Sequence, residues 1–273
     1  MKYLLIVVAV IPFFFSQVSF AKADIEAGKA NLEREKRMAA EVEDAVLDGE
    51  VIYLKDSPEP DKKPHEFMAI DQEPEGDTKG AVIILHGRGF HPNWQDAIFP
   101  LRTQLPEKGW RTLSLQMPVL VKTAKYYDYV PLFSQAGSRI EAGIKHLKEQ
   151  GVKNIVLLAH SCGGHMAMEW IRSKEGKMDG VITAYIGVGM GATDFGQKMA
   201  KSFPYDKLSI PVLDLFGSKE YPAVLAKAPG RLMAITKAGN AKSKQVIVPG
   251  ANHYFTDKGD ALVKPVVEWL DSL

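Results

Sequence analysis

Asn154-Ile155-Val156-Leu157-Leu158-Ala159-His160-Ser161-Cys162-Gly163-Gly164-His165-Met166-Ala167-Met168-Glu169-Trp170 is the stretch whose reading decides the fold. An apolar run rich in β-branched residues reads as a buried strand; it stops at a polar residue, two glycines follow within three positions, and a helical pattern begins at once. Ser161 therefore sits on a strand-to-helix corner. So tight a corner forces the serine into a strained backbone conformation, and the small residues Ala159 and Gly163, two before and two after it, let strand and helix pass close by. The hydroxyl is held out at the carboxyl edge of the sheet. The first backbone N–H groups of the new helix point at whatever binds there and favour developing negative charge. The same residues also admit a plainer reading, a serine N-cap, so the rest of the chain has to decide between them.

With its flanks, Ala159-His160-Ser161-Cys162-Gly163 resembles the nucleophile elbow of the α/β-hydrolase superfamily, with alanine in place of the first glycine of Gly-x-Ser-x-Gly. That resemblance implies a mostly parallel sheet flanked by helices, and it directs attention to three other places. Ala81-Val82-Ile83-Ile84-Leu85 is an uninterrupted apolar strand running into His86-Gly87-Arg88-Gly89. There the superfamily places its second oxyanion donor, which implies that the N–H of Arg88 joins that of Cys162. Residues 210–222 look like the acid-bearing strand and turn, in which Glu220 lies three residues after Gly217. Asp214, inside the apolar strand, is the alternative acid, since a charge there must be paired or solvated. His253, on the loop after the strand at 245–248, takes the place of the general base. Ser161, Glu220 and His253 thus occur in the superfamily's order of nucleophile, acid and base. More narrowly, residues 86–94 together with 211–215 resemble a group of exported bacterial α/β-hydrolase-like proteins of unassigned function.

The remainder of the chain is read outward from these places. Residues 1–23 combine Lys2, an apolar core from Leu4 to Phe15 and the small-x-small triplet Ala21-Lys22-Ala23, the pattern of a secretory signal peptide. Cleavage there removes two of the 34 basic residues and none of the 33 acidic ones, moving the formal charge from +1 to −1. Nucleic acid is not an implied partner. No stable membrane anchor is expected after cleavage, and a periplasmic or secreted location in a bacterium is. The single cysteine, Cys162, leaves an exported chain with no internal disulfide.

Residues 24–48 read as a charge-rich amphipathic helix with a thin apolar stripe (Leu32, Met38, Ala39, Val42, Ala45, Val46), and residues 49–273 as one hydrolase domain. Residues 50–54 and 65–70 predict two antiparallel strands at the start of the sheet, joined by the proline-bearing turn 56–63. A helix is expected over 95–108, a strand over 111–115, a helix over 135–150, the elbow helix to 174, a strand over 179–187 and helices over 223–237 and near the end. The aromatic loop 116–134 either lines a pocket or packs down. Residues 188–209 are too few for a large lid, and Met190, Phe195 and Met199 are candidates for a small cover.

The resulting expectation is a serine hydrolase acting on a small-molecule, glycan or lipid ester through Ser161, His253 and Glu220, with no cofactor and no metal. A non-catalytic binding or scaffolding protein on the same fold is the alternative. The five histidines 86, 91, 160, 165 and 253 could gather at one sheet edge, but their spacing matches no metal-ligand motif.

Overall fold

The computed structural model describes residues 28–57 and 63–273. The signal-peptide reading of 1–23 and part of the turn 56–63 fall outside the described residues. Helix α1 (Leu32–Glu43) is followed by β1 (Glu50–Asp56), β2 (His65–Gln72) and β3 (Gly80–Leu85). Then come α2 (Ile98–Gln104), β4 (Trp110–Leu115), the single turn α3 (Tyr126–Tyr129), α4 (Ala136–Glu149) and β5 (Ile155–His160). The chain ends with α5 (Cys162–Ser173), β6 (Ala184–Val188), β7 (Val212–Lys219), α6 (Pro222–Ala238), β8 (Lys244–Asn252) and α7 (Gly259–Leu270). The eight strands form one sheet in the order β1-β2-β4-β3-β5-β6-β7-β8. β2 runs antiparallel to both β1 and β4, and every later pairing is parallel.

Parallel strands joined by helical crossovers are covered on both faces, which explains the unbroken apolar runs of the central strands. The side-chain alternation of β3 sorts its residues between two cores. Ala81, Ile83 and Leu85 join the layer under α4 and α5, whereas Val82 and Ile84 join the layer under α2 and α7. β5 divides likewise, with Ile155, Leu157 and Ala159 on the first face and Val156 and Leu158 on the second. Because the same two strands end in the His-Gly turn and the serine corner, the cores on both faces fix where those loops emerge.

α1 docks on the sheet. Ala39 and Val42 pack on Met68 and Ile70 of β2. Its polar face is also used: Glu35, 4% exposed, pairs with the buried Arg139 of α4 and accepts from the N–H of Val119. Arg139 also pairs with Asp56 at the end of β1. Arg34 donates to the carbonyls of Gly89 and Leu120.

Three local readings differ from the structure. The helix expected over 95–108 is only α2 plus a 3-10 turn at Pro106–Lys108, because Ala97 takes a positive φ of 58° and Pro100 lacks an N–H to continue a longer helix. The apolar run at 179–187 is half turn: Gly180, at φ 72°, folds the chain so that β6 starts at Ala184. Phe195, a candidate for cover over the site, is fully exposed to solvent. Among the described residues, no helix is long and apolar enough to cross a membrane.

Candidate active site

Ser161 has φ 54° and ψ −116°, a region that bulky residues avoid and that costs about 1–3 kcal/mol. Burial of the surrounding strand and helix holds it there. The corner also depends on Gly163, since a Cβ at that position would come within 2.6 Å of the His86 carbonyl oxygen and 2.8 Å of that of Leu85. Glycine thus allows the elbow to press directly on the end of β3. This contact brings the His-Gly turn to the start of α5, and Arg88, Ser161 and Cys162 line one pocket.

The three residues taken from distant parts of the chain converge. His253 Nε2 lies 2.8 Å from Ser161 Oγ. On the other side of the ring, Nδ1 lies 2.8 Å and 3.0 Å from the two carboxylate oxygens of Glu220. A carboxylate only accepts, so the proton sits on Nδ1 and leaves the Nε2 lone pair facing the serine hydroxyl. All three residues are buried, with Ser161 the most exposed at 9%. The Glu220 carboxylate is additionally held by the N–H of Tyr221, 2.9 Å from Oε2.

Asp214 is not the partner of the imidazole, which corrects the alternative acid. It is fully buried, and both of its oxygens accept from Arg231 Nε, at 3.0 and 2.9 Å, while Gln245 Nε2 lies 2.6 Å from Oδ2. Burial pushes its pKa up and Arg231 opposes this. The residue that neutralises Asp214 lies on α6, and nothing in the apolar strand announces it.

The donors expected for an oxyanion are available. Cys162 opens α5, where the first N–H groups have no partner inside the helix. Among the described residues, the N–H of Arg88 donates to no backbone carbonyl. The side chains of these two residues have other tasks. Burial pushes the Cys162 thiol up to about 12, so it stays protonated and is no competing nucleophile. The Arg88 guanidinium is bidentate to Asp194, at 2.8 and 2.9 Å, so it is not a free cation awaiting an anionic substrate.

Two aromatic rings beside the imidazole escaped the sequence reading. Tyr221 stacks on His253 with centroids 4.4 Å apart, Tyr254 meets it edge-on at 5.1 Å, and the two hydroxyls are 2.8 Å apart. Their only sequence signal is adjacency, one residue after Glu220 and one after His253. In the loop 116–134, Tyr126 and Tyr129 are packed down, and Tyr126 also lines the pocket, so both readings of that loop apply.

Three of the other histidines hold backbone in place. His86 donates from Nδ1 to the Gly87 carbonyl and accepts from the N–H of Met117 on Nε2, which ties the Arg88 turn to the end of β4. His160 reaches the carbonyl of His253, 2.9 Å away, and so holds the backbone of that residue. His165 reaches the carbonyl of Ala192. Among the described residues, no three His, Cys, Asp or Glu side chains are grouped so as to hold a metal ion.

Burial lowers His86 and His160 to about 3, and His91 and His165 to about 4. In the unfolded chain these groups titrate near ~6.5, so below that pH the unfolded state binds more protons than the folded one. Their contribution is complete above about 6.5 and is lost as pH falls toward the folded values. The melting temperature, followed by calorimetry, is therefore expected to decline steadily between about pH 6.5 and 4.5, before most carboxylates protonate. A flat profile across that interval would contradict neutral burial of these rings.

The sheet order and the elbow define the α/β-hydrolase fold, and comparison with solved structures agrees. Dienelactone hydrolase from Anabaena variabilis aligns with TM-score 0.60 at 17% identity, over 82% of this chain and 97% of that one. Est1E from Butyrivibrio proteoclasticus aligns with TM-score 0.57 at 19% identity, over 81% and 99%. XC6422 from Xanthomonas campestris, described as an α/β serine hydrolase without lid, aligns with TM-score 0.57 at 14% identity, over 82% and 96%. Residues 19–129 match a family described as "Protein of unknown function (DUF3530)". No curated protein matches the sequence.

Proposed function

We propose that this chain is an exported serine hydrolase that cleaves carboxylic esters through an acyl-enzyme. The observation that carries the reading is the unbroken relay of Ser161 Oγ, His253 and Glu220, with 2.8 Å separations on both sides of the imidazole. In this mechanism His253 Nε2 takes the hydroxyl proton as Oγ bonds to the acyl carbonyl carbon. The carbonyl oxygen becomes an oxyanion, received by the N–H groups of Cys162 and Arg88. Glu220 keeps the ring oriented and stabilises its positive charge. The tetrahedral intermediate collapses as His253 returns the proton to the departing alcohol, leaving the acyl group on Ser161. A water then repeats the sequence and releases the acid. The export assignment rests on residues 1–23, and the substrate is a small-molecule, glycan or lipid ester in the periplasm or outside the cell.

A fluorophosphonate probe tests the reading without knowledge of the substrate. The folded wild-type chain is expected to be labelled and Ser161→Ala to be silent. Absence of labelling in the wild type, or labelling that survives the substitution, would overturn the proposal.

A further inference from the structure

The proposed mechanism determines which side of Ser161 each half of an ester occupies. His253 hands its proton to the departing alcohol, so the alcohol lies against the imidazole and the rings around it. These are Tyr221 and Tyr254, with Phe90 beside Tyr254 at 5.8 Å. Tyr221 is 40% exposed, so this side opens toward solvent. The acyl chain then faces the rest of the pocket wall, formed by Tyr126, Ala192 and Thr193 together with Arg88.

That second wall is held in place. Its Ala192 and Thr193 stand on the loop 189–204, which follows β6, and fixed groups tie the loop at several points. Arg88 grips Asp194 with two hydrogen bonds, and Asp194 Oδ2 also accepts from the N–H of Tyr126 at 2.6 Å. The Tyr126 hydroxyl accepts from the N–H of Ala200, 2.9 Å away. Buried His165 and Arg231 bond the carbonyls of Ala192 and Met190, both at 2.9 Å. A loop tied to the buried His165, Arg231 and Tyr126 and to the partly buried Arg88 does not swing aside for a longer chain at small cost. The space at Ser161 is about 70 Å³. At roughly 30 Å³ for each water-sized group, that is room for only about two or three such groups beside the hydroxyl.

We infer that the substrates are esters of short acyl groups carried on a larger alcohol that extends past Tyr221 and Tyr254. The inference rests on the ester-hydrolase reading above and goes further by naming the substrate class and the bridge that enforces it. Asp194 is the specificity-determining residue. It sets the position of the wall and takes no part in the proton relay.

The experiment uses the full chain and p-nitrophenyl acetate, butyrate and octanoate, in which the alcohol is constant. kcat/KM is expected to fall at least about 10-fold from butyrate to octanoate, the order of a modest pocket misfit. Asp194→Ala, which releases the wall, is expected to raise the octanoate-to-acetate ratio several-fold, and Asp194→Asn to move it the same way by less. Where turnover is too slow to rank, inactivation by methyl and octyl phosphonofluoridates gives the same ranking. Octanoate equal to or better than acetate in the wild type, or a ratio unmoved in both variants, overturns this inference and leaves the hydrolase reading standing. Neither turnover nor labelling with any reagent overturns the hydrolase reading, and this inference with it.

Discussion

Replacing His253 with alanine is expected to lower kcat by about five to six orders of magnitude, the scale seen when one member of a serine triad that acts as a unit is removed. Among the described residues the imidazole is the only ring hydrogen-bonded to Ser161 Oγ, so without it the hydroxyl keeps its proton and the alcohol leaves unprotonated. What survives, about 10³–10⁴-fold over water, comes from the oxyanion donors and from binding. The fold should persist, because the bond that His160 makes to residue 253 uses the backbone carbonyl. Circular dichroism and the melting temperature check this while hydrolysis of a short-chain ester is followed. A loss of less than tenfold would show that another group takes the serine proton.

The second large effect separates the two acids. Glu220→Gln is expected to reduce kcat by about 10³–10⁴-fold with little change in stability, since the amide presents a donor as well as an acceptor to Nδ1 and no longer enforces the productive tautomer. Asp214→Asn is expected to do the reverse. It leaves the buried Arg231 guanidinium without its counter-charge, at a cost of about 3–5 kcal/mol, while the folded fraction keeps most of its turnover. Urea unfolding and steady-state kinetics on the two variants give opposite patterns if Glu220 orients His253. Matching losses in kcat would return Asp214 to the catalytic role.

The parts of the site that were legible in the sequence are those imposed by short-range sterics. A strand that stops at a serine between small residues has few conformations open to it, and the apolar runs bordering 81–85 and 155–160 fixed the centre of the sheet. Glu220 is preferred to Asp214 by its offset from Gly217, whereas the partner that occupies Asp214, Arg231 on the next helix reaching back 17 positions, leaves no local signal. The bridge from Arg88 to Asp194 spans 106 positions and leaves no local pattern. The Arg88 turn is singled out for its backbone N–H, and nothing there announces that the guanidinium is an internal strut. Phe195 read as cover because it is large and apolar, yet Gly191 and Gly196, both at positive φ, carry the loop so that residue 195 turns outward. Pairings across long separations, and the direction a loop side chain takes, depend on the assembled fold.

The docking of α1 bears on the order in which the chain becomes ordered. This helix is synthesised first among the described elements, yet its hydrogen-bond and ion-pair partners arrive much later: Val119 follows Glu35 by 84 positions, and Arg139 comes later still. A greasy helix waiting that long would be prone to self-association. The many Lys, Arg and Glu side chains between residues 29 and 43 let the segment wait in solvent, and two of them, Arg34 and Glu35, end up bracing the rear of the turn that carries Arg88 and the strand end beyond it.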